Sequence, residues 1–453
     1  MRRRLMIISV AVSMALVTSI VASEVFDPPA ITVFPDHDSI GKRYPLSKAL
    51  GDGRTLFGTK FNALDGGGRP FATGDSKPTP RVDAGPVFHR ISGPDANSCF
   101  GCHSQPRLGG SGDISANVFF GAQFADPIVD TVRGERSNER NTPSLFGIGA
   151  IENAAREITT DLHRQRSDAI FEARRKGSNV SVFLSSKGSN FGEIHASPDG
   201  YVDYSRIAGI DPDLIVKPFG TKGVAISVRE FTIAALNHHH GIQPVERFGW
   251  ERTGVHDFDG DGVEAEFTIG HTTALTLFQL TLPPPYQEYR RHPGFKTFEA
   301  MGCASCHRPR IYLRTNVISE PNPFNRPGSL TPQYTSNVVK TKIPLRRDSK
   351  GFYIDAFTDF RRHVMCDEKQ RRLCNEELKQ DNVALDQFMT SRLWDLATSA
   401  PYCHRGDCAT ITEAIQAHGG EAAKSVQEFD RLSAVQKREL IAFLLTLGSS
   451  QQP

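Results

Sequence analysis

Two short stretches, Cys99-Phe100-Gly101-Cys102-His103 and Cys303-Ala304-Ser305-Cys306-His307, constrain this chain more than any other feature. Each sets two thiols three positions apart and follows the second with a histidine, the attachment signature of c-type haem. The thiols add across the vinyl groups of the porphyrin, and the histidine is held under the iron as its proximal ligand. The competing reading is a zinc site with Cys99, Cys102, Cys303 and Cys306 as four thiolates. Zinc leaves the histidine after each pair unexplained. The sequence therefore predicts two covalently bound haem c groups, one on Cys99, Cys102 and His103 and the other on Cys303, Cys306 and His307.

The N-terminus fits that chemistry. Arg2, Arg3 and Arg4 precede an apolar run from Leu5 to Ala22, and small residues follow. This pattern predicts a signal peptide over residues 1–23 and a periplasmic body, with a membrane anchor as the alternative. No later apolar stretch is long enough to span a membrane. The formal charge of +2 includes the three N-terminal arginines, so the exported body is close to neutral and carries no basic footprint for nucleic acid. Four of the eight cysteines lie outside the haem motifs, as Cys366 with Cys374 and Cys403 with Cys408. In an oxidising compartment, bridges within each pair are favoured, although four cysteines allow three connectivities.

Along the chain, residues 160–222 read as a small β-rich insertion of short alternating pieces bounded by Gly, Ser, Asn and Pro. Helix returns at Ser227, where Ser227 and Glu230 form a capping-box pattern. That helix leads into His238-His239-His240, with His240 on an apolar stripe; it is either a core histidine or a distal acid–base group. Asp257-Phe258-Asp259-Gly260-Asp261-Gly262 resembles the start of a calcium loop, but its twelfth position is Thr268 rather than glutamate. Asp257, Asp259 and Asp261 are thus candidate calcium ligands or a plain acidic turn. Near the C-terminus, Thr410 with Glu413 and Ser433 with Gln436 open two more helices. His418 ends an apolar stripe on the first of these, just before Gly419-Gly420. By spacing alone a satisfied core histidine is the preferred reading and an iron ligand the alternative.

Taken together, the two haem motifs, Arg140-Asn141-Thr142-Pro143, His239-His240-Gly241-Ile242-Gln243, the acidic loop and the tail around Pro401-Tyr402-Cys403-His404 resemble the di-haem cytochrome c peroxidase and MauG-like superfamily. The branch most similar is that of the di-haem oxidoreductases. The resemblance implies a mainly α fold of two cytochrome-c-like haem domains packed together. Their expected ranges are 24–250, with the β-rich insertion, and 251–453, with the acidic loop at 257–266. It also implies His418 as the distal ligand of the second haem, and a calcium held by Asn141, Ser399 and Pro401. Two family features are unmatched in sequence: the histidine that gates the first haem, and the tryptophan between the haems. The only tryptophans are Trp250 and Trp394.

The function implied is peroxide reduction at the N-terminal haem, with electrons from a small cytochrome c or cupredoxin passing through the C-terminal haem. Glu152, Glu157 and His240 are the candidates for moving the proton. The alternatives are an electron-transfer cytochrome and a MauG-like oxidase of a protein or organic substrate.

Overall fold

The computed structural model describes residues 27–67, 73–74, 96–119, 129–130, 137–286, 288–325 and 337–448. The predicted signal peptide lies outside them. No described helix is long and apolar enough to cross a membrane.

The mainly α expectation fails. Over the described residues the fold is 35% helix and 17% strand, a mixed α/β fold with several antiparallel sheets rather than two cytochrome-c-like domains. The strands are short and scattered between the helices. In the C-terminal half they are Ile311–Leu313, Val317–Glu320, Val339–Lys342, Arg346–Asp348, Gly351–Ile354, Arg362–Val364 and Gln387–Met389. Among the described residues, no helix lies between Ser305 and Ile411. Val339–Lys342 alternates buried and exposed residues, the period-two pattern of a half-buried strand. Runs this short carry too little periodicity to stand out from loop.

The largest core is organised on a 29-residue helix, Ile148–Lys176. Ala150, Ile151, Ala154, Ala155, Ile158 and Leu162 are buried on it against Phe57, Phe61, Leu275 and Phe278. Its C-terminal half continues through residues 160–176. There, exposed Arg164 reaches back to buried Asp161, Glu172 pairs with Arg175 on the surface, and Ala169 and Ala173 stay buried. The antiparallel sheet of Val180–Ser186, Ser189–Ala196 and Val202–Ile207 follows and packs on this helix. Helices Leu46–Gly58 and Ile269–Leu280 cross so closely that a Cβ on Gly53 would stand 2.0 Å from the Ala274 carbonyl oxygen.

A second core joins Phe295, Phe298 and Met301 to Phe357, Phe429, Leu440, Phe443 and Leu444. Its last helix, Ala434–Thr446, starts on the predicted Ser433–Gln436 capping box. A small third cluster surrounds two disulfides, Cys366–Cys374 and Cys403–Cys408, so both bridges form within the close pairs.

Candidate functional site

Cys99, Cys102 and His103 line the same cavity as Cys303, Cys306, His307 and His418; its volume is about 1020 Å³. All four cysteines outside the disulfides are free thiols. Burial pushes the Cys99 thiol up to about 12 and the Cys303 thiol up to about 11.

The first motif begins on the short helix Cys99–Cys102, whose N-cap Ser98 accepts from the Gly101 amide. The second follows helix Pro293–Ala300 as a single tight turn, Cys303–Ser305. His418 follows helix Ile411–Gln416, where Thr410 accepts from the Glu413 amide at 3.1 Å.

The three imidazoles share one arrangement. His103 donates from Nδ1 to the Pro143 carbonyl at 3.0 Å, His307 to Phe357 at 3.1 Å and His418 to Ala414 at 2.7 Å. A ring whose Nδ1–H is committed to a carbonyl keeps its lone pair on Nε2, the form a metal needs. Burial also lowers all three below the ordinary histidine value, His103 and His307 to about 4, so the rings are neutral. The His307 and His418 rings lie 6.4 Å apart, centroid to centroid. Two metal–nitrogen bonds of about 2 Å, plus the roughly 1 Å from each nitrogen to its ring centre, span that gap. The residues therefore fit an iron held between them. Each of the two motif histidines also packs on a phenylalanine, His103 on Phe57 at 6.4 Å and His307 on Phe298 at 6.5 Å, and the field of His239 acts on His103 as that of His418 acts on His307.

The three proton-transfer candidates are placed differently. Glu152 does not line the cavity. Its carboxylate takes hydrogen bonds from Arg156 Nε at 3.1 Å, Asn322 Nδ2 at 2.8 Å and the Val228 amide at 2.8 Å. Glu157 is likewise off the cavity, bound to Lys187 Nζ at 2.5 Å and to the Arg314 amide at 2.9 Å. His240 does line it. It sits on a π-turn, Leu236–His240, that continues helix Val228–Ala235. Its Nδ1 donates to the Ala96 carbonyl at 2.9 Å, and its Nε2 is 3.8 Å from Cys99 Sγ.

Asn141 and Pro401 meet: the Asn141 side-chain amide contacts the Pro401 carbonyl, and Asn141 Oδ1 is buried without a hydrogen-bond partner. Ser399 lines the nearby cavity wall. In the acidic loop, ligand oxygens of Asp257, Asp259 and Asp261 lie within 4.8 Å of one another. Asp257 already accepts from the Gly260 and Gly262 amides, and Asp261 from Val263.

Two cavity residues had no sequence signal. Trp394, 3% exposed, lines the shared wall and donates from Nε1 to the Asp355 carbonyl at 2.7 Å. His363 stands 4.0 Å from Cys306 Sγ and 2.8 Å from each of Asp359 and Glu421. Glu421 is 58 residues away in the chain, beyond any local pattern.

Two sets of paired thiols, each followed by a neutral lone-pair imidazole on one cavity, are what a two-centre redox protein requires. Residues 347–447 match the family model described as "Di-haem oxidoreductase, putative peroxidase". This is the branch that the sequence motifs resemble, and its description carries haem as the cofactor and peroxidase-type oxidoreductase as the class of activity. No curated protein matches the chain.

Proposed function

We propose that this protein is an exported, periplasmic di-haem c oxidoreductase that reduces hydrogen peroxide to water. The observation that carries the reading is the shared cavity: Cys303, Cys306 and His307 line it with a second imidazole, His418, 6.4 Å from that of His307, and Cys99, Cys102 and His103 form a second attachment set on the same cavity. Cys99, Cys102 and His103 would hold one haem, and Cys303, Cys306, His307 and His418 the other. Bound there, haem iron supplies one-electron transfer and peroxide activation.

The chain's own residues supply the rest. Carbonyls of Pro143, Phe357 and Ala414 hold the three imidazoles in the ligating tautomer. His240 is the proton carrier of this reading. With Nδ1 committed to Ala96, its Nε2 accepts a proton from the near oxygen of peroxide and returns it to the far one, so that water leaves. Each peroxide takes two electrons and two protons to give two waters. A small cytochrome c or cupredoxin is the electron donor in this reading, and His307 and His418 would hold the haem that receives its electrons. Asn141 and Pro401, with Ser399, hold a calcium ion in this reading; the buried, unpartnered Asn141 Oδ1 supports that role.

The test is peroxide-dependent oxidation of reduced cytochrome c by the purified, matured protein. Saturable turnover supports the proposal. A preparation with both haems in place and no turnover contradicts it.

A further inference from the structure

Arg140 lines the cavity, and behind it lie charged groups that neither ligate nor form attachment bonds in the reading above. Lys222 and Glu376 have fully buried side chains, and Arg140 is nearly buried beside them. Lys222 Nζ lies 3.2 Å from Glu376, and Arg140 lies 2.6 Å from the same carboxylate. Lys222 otherwise donates to the carbonyls of Leu385 and Gln387, and Arg140 to Gln380 Oε1 at 3.0 Å. Two buried cations thus share one carboxylate. Asp386 adds only a weaker field at Lys222, and Asp381 lies at the exposed rim. The nearby Arg405 is paired with its own carboxylate, Glu139, at 3.1 Å. Buried charge without its full counter-charge is costly, and folded chains retain it where a ligand completes the balance.

His404 supplies an independent observation. Its side chain is 4% exposed, and neither ring nitrogen has a hydrogen-bond partner. The ring packs on Phe388 at 4.6 Å, and Nε2 stands 3.5 Å from Glu376 without a hydrogen bond. Buried polar nitrogens left without partners are rare in native folds. Arg140, Gln380 and His404 all line the cavity. The missing partner must bring acceptor oxygens and negative charge on an otherwise apolar body, because Phe388, Met365 and Leu373 line the same wall.

We infer that Arg140 and His404, steadied by Gln380, Lys222 and Glu376, form a carboxylate-binding site in the cavity wall. Its occupant is a propionate of a porphyrin held in the same cavity, which rests on the proposed function, or the carboxylate of an organic solute. A guanidinium at close range is the group best shaped for either.

The experiment uses the full chain, matured with haem, and the variants Arg140→Met, Arg140→Lys and His404→Phe. The last keeps the ring packing and removes only the nitrogens, so it remains informative if Arg140→Met does not fold. Resonance Raman reads the propionate bending bands, spectroelectrochemistry the midpoint potentials, and calorimetry the binding of benzoate. For a propionate, Arg140→Met and His404→Phe shift the bending band of one haem. Arg140→Met also lowers that haem's potential, because a nearby positive charge favours the reduced state, and Arg140→Lys stays near wild type. For a solute carboxylate, the bands do not move, but benzoate binds wild type saturably and fails to bind Arg140→Met. Unmoved bands and potentials together with no benzoate binding overturn the site. A purified protein without haem contradicts the proposed function instead, and the benzoate measurement then still decides the site.

Discussion

His103, His307 and His418 act through which nitrogen carries the proton. In each, a backbone carbonyl takes the Nδ1–H and burial keeps the ring neutral. The glutamates differ because their lone pairs are already used. Glu152 pairs with Arg156 one turn along the long helix and fastens that helix to Asn322 and to the Val228 amide at the start of the histidine-bearing helix. Glu152→Ala should therefore cost about 3 kcal/mol of stability, the loss on breaking a buried ion pair. Denaturant titration reads that loss, and the absorption spectrum of the two haems should not change. A shifted haem spectrum with unchanged stability would return Glu152 to the cavity chemistry. At this scale the cysteine and histidine motifs were legible because they are contiguous. The surroundings of Glu152 were not, since Asn322 lies 170 residues away.

Among the elements, helix starts were readable at Ser227, Thr410 and Ser433, where a side chain caps them, but the capped start at Thr268 was not. The π-turn at Leu236–His240 was not, because a single wide turn leaves no change in the local apolar pattern. Strand Arg362–Val364 carries His363 between Asp359 and Glu421. Burial alone would lower the His363 imidazole, but its bonds to Asp359, Cys306 and Glu421 prevail and raise it from 6.5 to about 10. The folded state thus binds this proton more tightly than the unfolded chain does. The stabilisation is complete below about pH 6.5 and is lost as pH rises through about 10. The melting temperature of wild type should fall more steeply across that window than that of His363→Gln. Parallel curves for the two proteins would contradict the assignment.

The molecule as a whole departs most from the sequence expectation. Short strands spread through both halves replace the mainly helical pair of domains, and none is long enough to announce itself. The shared cavity was equally hidden: it is assembled from contacts such as Asn141 with Pro401, 260 residues apart. What the sequence did carry at this scale is the repetition of the attachment motif. Because the two motifs sit on separate cores, replacing Cys303 and Cys306 with alanine should remove one haem per chain and keep the other. Pyridine haemochrome content against protein mass reads the change. Retention of both haems, or loss of both, would contradict two independent attachment sites.

The central claim is that one iron is closed by two imidazoles while the other keeps a coordination position free. Low-temperature electron paramagnetic resonance of the oxidised, matured protein tests it directly, with His418→Ala beside wild type. The account predicts one low-spin and one high-spin ferric signal in wild type, and conversion of the low-spin signal to high-spin in the variant with both haems still attached. Two low-spin signals in wild type, or a spectrum unchanged by the substitution, would contradict it.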